Sequence, residues 1–89
     1  MYDEKIVKIY QLYDIFNDFN RLSILMQLYN DELTIEEINK RTNIKNIVIF
    51  HQLEYLCNKK VVVKTDDKYK IADKTLNKLI GKMINYVSK

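Results

Sequence analysis

Two side chains in this sequence, His51 and Cys57, are of the types that hold metal ions or carry out acid–base and nucleophilic chemistry. Each is the single residue of its type in the chain. A zinc ion needs several such ligands, and a catalytic histidine needs a second group to orient it. The single glycine, Gly81, cannot build a phosphate-cradling glycine loop. We therefore expect no enzyme activity, no metal site and no cofactor, and we expect Cys57 to be a small buried apolar group.

A cluster of lysines between residues 59 and 70 is the first candidate for ligand chemistry. This segment carries five lysines and two aspartates. Lysine ammonium groups attract phosphate and release counterions when they bind DNA. The alternative is that these lysines only form the solvent-exposed surface of a hairpin. The predicted phosphate contacts are Lys59, Lys60, Lys64, Lys68 and Lys70.

Residues 45–52 mix hydrogen-bonding side chains with large apolar ones. Polar side chains on an exposed helix face can read base edges. Helical spacing turns seven residues of this segment outward: Lys45, Asn46, Ile47, Val48, Phe50, His51 and Gln52. The apolar side chains could contact thymine methyl groups, or they could pack two copies of this helix against each other across a dimer axis. The predicted base contacts are Lys45, Asn46, Ile47, Phe50 and His51.

The charges are distributed unevenly along the 89 residues. Residues 1–39 hold three basic and eight acidic side chains, a net charge of −5. Residues 40–89 hold twelve basic and four acidic side chains, a net charge of +8. A compact domain of this kind has one face that attracts phosphate.

The apolar segments are too short for a membrane span, which needs roughly 20 residues. Met1 is followed by charged residues at 3–5 without an apolar stretch, so we expect no signal peptide. A lone cysteine cannot form an internal disulfide, which is typical of the reducing cytoplasm. We predict a cytoplasmic protein that forms one domain over residues 1–89 and does not associate with membranes.

Periodicity predicts a mainly α-helical fold with one β-hairpin. The fourth helix has a buried stripe of Ile49, Leu53 and Leu56, and the β-type runs after residue 60 are separated by a turn at 66–68. The second helix has a predicted stripe of Leu22, Leu25, Met26 and Tyr29. The predicted helices lie at about 4–17, 20–30, 34–42, 45–58 and 74–87, with the hairpin at 61–71.

Local signals fix several helix ends. Thr34 and Glu37 have the spacing of a capping box, and Leu33 and Ile38 have that of a hydrophobic staple. Asn43 tolerates the left-handed conformation that ends a helix sharply. Asn20 and Asp73 are the predicted N-caps of the second and last helices.

Residues 19–73 resemble the ArsR-type winged-helix regulators. The matching positions are 20–25 (NRLSIL) in the second helix, 33–38 (LTIEEI) at the start of the helix-turn-helix, and 44–56 as the recognition helix, followed by a double-valine strand. The resemblance implies a winged helix-turn-helix that binds double-stranded DNA as a homodimer. Metal-sensing members place cysteines where this chain has Thr34, Ile35 and Glu36, so we expect no metal response.

The apolar residues of the recognition helix also resemble the TubR-type centromere-binding proteins of plasmid and phage partition systems. In those proteins, paired recognition helices enter one groove together. The resemblance implies an adaptor for a filament-forming, GTP-binding partner. Repression and partition are both compatible with the sequence, and so is a third possibility, a winged helix that docks on another protein without binding DNA.

The first and last helices are the predicted dimerisation elements. The apolar stripe of the last helix is long for so small a domain, and a dimer would bury surface that a thin core cannot. Tyrosines at positions 10, 13 and 29 share stripes with aliphatic residues, so we expect core or dimer packing for them. The predicted interface consists of Ile6, Tyr10, Tyr13, Leu76, Ile80, Met83 and Val87.

Overall fold

The computed structural model describes residues 3–88, so the ends of the domain predicted for residues 1–89 lie outside the described residues. Within residues 3–88, five helices and one antiparallel hairpin follow one another in the predicted order, which confirms the predicted winged helix-turn-helix fold. The elements are α1 (Glu4–Phe16), α2 (Phe19–Leu28), α3 (Ile35–Thr42), α4 (Asn46–Asn58), β1 (Val62–Thr65), β2 (Lys68–Ile71) and α5 (Lys74–Val87).

Side-chain caps set most of the helix starts. Thr34 and Glu37 form the predicted capping box, and the backbone N–H groups of both residues are bonded to the partner side chain, at 2.9 and 3.2 Å. The Asp73 carboxylate accepts from the Leu76 N–H, as predicted. The prediction of Asn20 as a cap is wrong, because Asp18 accepts from the Arg21 N–H and α2 begins before Asn20.

The hairpin turn is shorter than predicted. Lys68 lies in β2 and pairs with Thr65, so only residues 66 and 67 connect the strands. Asp66 takes a left-handed backbone conformation with a φ of 58°, which aspartate tolerates better than most residues. Tyr69 also exchanges two backbone hydrogen bonds with Leu33, at 2.8 and 3.0 Å. The segment before α3 is therefore attached to the hairpin.

The core lies around α2, which packs against every other helix and against β2. The predicted α4 stripe of Ile49, Leu53 and Leu56 is confirmed as buried. The predicted α2 stripe is partly wrong, because Met26 is 40% exposed. A helix with neighbours on several sides buries a broader face than a single stripe. That face contains Ile24, Leu25 and Leu28.

Two residues predicted for the dimer interface belong to the core instead. Leu76 and Ile80 are 5% and 0% exposed, because α5 places them against the rest of the core. Met83 is half-buried against the same core. Among residues 3–88, no helix has both the length and the apolar character that a bilayer crossing requires.

Candidate nucleic-acid interface

Local hydrogen bonds hold the turn between α3 and α4. Asn43 is left-handed, with a φ of 63°, as its position after α3 predicted. Its N–H donates to the Asn39 carbonyl at 2.8 Å, and the Asn39 side-chain amide donates to the Ile44 carbonyl at 2.6 Å. The Thr42 hydroxyl accepts from the Ile44 N–H at 3.2 Å. These bonds fix the direction in which α4 leaves the turn.

The exposed face of α4 contains all five predicted base contacts. Ile47 is 59% exposed and Phe50 is 38% exposed. The aromatic rings of Phe50 and His51 meet edge to face, with centroids 5.7 Å apart. Glu54, one turn beyond Phe50, is also exposed and was not predicted for this face. The face therefore presents donors, an acceptor and two apolar groups at once; Lys45, Asn46, Ile47, Phe50 and His51 are all exposed.

The other two residues predicted to point outward from α4 are directed elsewhere. Val48 is half-buried. The Gln52 amide accepts from the Arg21 guanidinium at 3.1 Å and donates to the Asp18 carboxylate at 3.3 Å. Because both ends of this amide are engaged within the chain, Gln52 positions α4 and is not available for base edges.

Arg21 is the centre of a polar network that sequence reasoning missed. Its guanidinium donates to the carbonyl oxygens of Asp14 and Ile15, both at 2.7 Å, and stacks on the Tyr55 ring at 4.3 Å from the centroid. The Tyr55 hydroxyl donates to the Asp14 carboxylate at 2.7 Å, and this hydrogen bond raises the pKa of Tyr55. The network fastens α4 to the corner between α1 and α2.

The five predicted phosphate lysines do not form one patch. Strand pairing places Lys68 and Lys70 opposite Thr65 and Val63 on one face of the hairpin, whereas Lys64 pairs with Tyr69 on the other face. The Lys64 ammonium lies 5.6 Å from the centre of the Tyr69 ring. Alternation along a strand separates these lysines although they are close in sequence.

The two remaining lysines of that prediction lie at the end of α4. The Lys59 ammonium is 5.6 Å from the centre of the Tyr55 ring. Lys60 has a left-handed backbone with a φ of 61° and connects α4 to the hairpin. Both side chains are exposed. They therefore lie at the C-terminal end of α4 and not on the hairpin face that carries Lys68 and Lys70.

Lys68 and Lys70 share an open groove of about 770 Å³ with Lys74 and Lys78 of α5. The loop between α2 and α3 forms the other wall, and Asn30 is tied to Asn77 by hydrogen bonds of 2.8 and 3.2 Å. Lys74 and Lys78 were missed by the sequence prediction. The available signal was that Lys74 and Lys78 are four residues apart, in the helix that Asp73 was predicted to cap.

The α1 helix carries an apolar stripe on its exposed side. This α1 stripe consists of Ile6, Ile9, Tyr10 and Tyr13, which are 56 to 69% exposed. At the end of α5, Tyr86 and Val87 are also exposed. The tyrosines at positions 10 and 13 are therefore not core residues of this chain.

Neither His51 nor Cys57 belongs to a group of three potential metal ligands within the described part of the chain. Among residues 3–88, no three side chains of His, Cys, Asp or Glu are grouped so that they could hold a metal ion. Cys57 is half-buried against the core, and its burial raises the pKa of the thiol.

The fold is that of several solved structures. HlyU from Vibrio cholerae superposes with a TM-score of 0.84 at 18% identity, covering 99% of this chain and 100% of that one. The transcriptional regulator HlyU from Vibrio vulnificus gives 0.85 at 20% identity, covering 93% and 91%. The transcriptional repressor BigR from Xylella fastidiosa gives 0.80 at 15% identity, covering 93% and 89%. No protein-family model and no curated protein matches the sequence. At these identities the similarity establishes the fold.

Proposed function

We propose that this chain binds double-stranded DNA as a homodimer and regulates transcription. The observation that carries the proposal is the exposed face of α4, which follows a helix-turn-helix turn held by three hydrogen bonds. In this arrangement the second helix of the motif enters the major groove. The transcriptional regulators among the similar structures support the same reading. An enzyme function is not part of the proposal.

The charge distribution supports docking on DNA through the side of the domain that contains α4, the hairpin and α5. The +8 half of the sequence supplies α4, the hairpin and α5, whereas the −5 half supplies α1, α2 and most of α3. Phosphate contacts position a protein on the duplex, and side chains at base edges provide selectivity. Lysines of the hairpin and of the C-terminal end of α4 are assigned to phosphates. The α4 face is assigned to bases.

The α1 stripe supports the homodimer. Large apolar side chains on one exposed helix face favour a protein partner, and a symmetric dimer lets each stripe cover the other. Of the predicted α5 residues, Val87 is exposed and Met83 is half-buried, so both stay in the proposed interface, whereas the buried Leu76 and Ile80 are omitted. Burial of these residues would add apolar contact to a small core.

A salt series tests the DNA-binding proposal. The DNA from both sides of the chain's own gene and a random duplex are titrated with wild type, with Lys68→Gln/Lys70→Gln and with Lys5→Gln/Lys8→Gln. The two variants lose the same charge, but the second loses it from the exposed side of α1. Each lost phosphate contact lowers the salt slope by about 0.9. In a homodimer the hairpin variant loses four lysines, two from each chain, so we expect a reduction of about 3.6 in that variant and none in the control.

Absence of binding to either DNA at low salt, by folded protein, would contradict the proposal. It would assign the α4 face to docking on another protein. Equal losses in both variants would show a net-charge effect without a defined site.

The exposed Ile47 and Phe50 favour a second candidate, a TubR-type partition adaptor in which two α4 helices enter one groove. Such an adaptor would load many dimers on repeated sites and bind a filament-forming GTP-binding protein. Footprinting separates the two candidates: tandem protected repeats favour partition, and one palindrome over the promoter favours repression.

A further inference from the structure

Two large apolar side chains stand exposed in the middle of an otherwise polar helix face. Ile47 and Phe50 are three residues apart, which places them side by side on one face of α4. Lys45, Asn46 and His51 border them, and all three are exposed. In the described chain, Ile47 and Phe50 are the large apolar residues of α4 that remain exposed. An apolar pair bordered by donors and by the exposed Glu54 carboxylate needs a partner surface that is also mixed.

The major groove of DNA offers such a surface. Its base edges present hydrogen-bond acceptors and donors, and thymine adds a methyl group at C5. Asn46 and Lys45 can bond to the polar edges while Ile47 and Phe50 contact methyl groups. On the basis of the proposed DNA binding, we infer that Ile47 and Phe50 make this chain selective for thymine by contacting its C5 methyl groups.

A second copy of α4 fits this face less well. The exposed apolar area of the two side chains is on the order of 200 Å², whereas a stable protein interface buries about 800 Å² on each partner. Pairing two α4 helices would also remove from water the polar side chains that border the apolar pair. The α1 stripe offers a larger apolar surface without these costs.

Helix geometry predicts the spacing of the contacted thymines. Three residues correspond to a rise of about 4.5 Å along a helix, and successive base pairs are about 3.4 Å apart. The two side chains are therefore spaced closely enough to reach methyl groups on neighbouring base pairs. The edge-to-face contact between Phe50 and His51 restricts the Phe50 ring. The ring would therefore enter the groove in a defined orientation.

The test replaces thymine by deoxyuridine, which removes the methyl group alone. The tightest 20-base-pair duplex from a random library is selected with wild type, and each thymine in it is exchanged in turn. Binding is measured for wild type, Ile47→Ala, Phe50→Ala and Met26→Ala. Met26 is the matched control, because it is 40% exposed and lies on α2.

We expect exchange at one or two neighbouring base pairs to weaken wild-type binding about fourfold for each methyl, the change that corresponds to one buried methyl group. The Phe50→Ala and Ile47→Ala variants should bind the thymine duplex more weakly than wild type does. The binding of each variant should no longer change when deoxyuridine replaces thymine at one of those positions. Met26→Ala should behave as wild type.

Sequence-specific binding without a deoxyuridine effect at any position would overturn this inference and leave the proposed function intact. Absence of DNA binding at low salt would overturn both. A shift of Ile47→Ala or Phe50→Ala from dimer to monomer in sedimentation, without DNA, would assign the pair to a second copy and also overturn it.

Discussion

The α1 and α4 helices have the same length of 13 residues and the same number of apolar residues, eight each, but they are used differently. The α4 helix buries Ile49, Leu53 and Leu56, whereas α1 buries only Ile15 among its described residues. The difference lies in their neighbours, since α4 packs against α2, α3 and β1, and α1 packs mainly against α2. One helix is held from within the chain. The other retains an exposed apolar face.

The sharpest test of this comparison removes packing from α4. Leu53 is 1% exposed, and Leu53→Ala should lower the free energy of unfolding by about 2–5 kcal/mol, because the cavity cannot be filled. The measurement is urea unfolding at several protein concentrations. The loss should be the same at every concentration, since the cavity lies inside one chain.

Glu54→Ala serves as the control for that experiment, because Glu54 is adjacent but exposed. It should change the free energy of unfolding by less than about 0.5 kcal/mol. A loss in Leu53→Ala that grows with protein concentration would mean that α4 is also held by a partner, and the comparison would fail.

Removal of one side chain from the α1 stripe should act on association instead. Tyr10→Ala is expected to weaken the dimer by about 2 kcal/mol, or roughly 30-fold in its dissociation constant. Sedimentation equilibrium measures that constant. Gln11→Ala changes an exposed residue off the stripe and should leave it unaltered. If wild type is monomeric at high concentration, or if both variants weaken it equally, the stripe is not the dimer interface.

The smallest expected effect concerns the bond that joins the two helices. The Tyr55 hydroxyl donates to Asp14 and the pKa of Tyr55 is raised, so this contact stabilises the fold below a pH of about 10 and is lost as the pH rises through the folded-state pKa. Tyr55→Phe should cost about 0.5 kcal/mol at neutral pH, because the bond is exposed. Unfolding of both proteins at increasing pH measures the difference.

That difference should shrink towards zero at the alkaline end of the series. A difference that stays constant with pH would mean that the hydroxyl contributes through packing and not through its proton. Asp14→Asn provides a second check, since it should lower the raised pKa of Tyr55 without removing the ring that stacks on Arg21.

Local chemistry was readable from the sequence. The Thr34–Glu37 capping box, the left-handed Asn43 and the Asp73 cap each depend on residues within four positions of one another, so composition and spacing suffice to predict them. The α4 stripe followed from helical periodicity for the same reason. The exposed face of α4 followed in part as the complement of that stripe, since Val48 and Gln52 were also predicted to point outward and do not belong to it.

Contacts between distant segments were not readable. Arg21 and Gln52 are 31 residues apart, and nothing in either local sequence indicates that they meet. The lysine groove joins β2 to α5 and brings in Lys74 and Lys78 only after the chain has folded. The same limit explains why Leu76 and Ile80 were assigned to a dimer interface: periodicity identifies an apolar face but not what covers it.

The sequence by itself determined the order of the elements, their caps and the polarity of charge along the chain, because each of these depends on neighbouring residues. Only the tertiary structure decided which apolar faces α2 and its neighbours would cover, since that depends on the arrangement of all five helices. It also divided the lysines between two faces of the hairpin. The free face of α4 and the free stripe of α1 are what remained exposed once the core was complete.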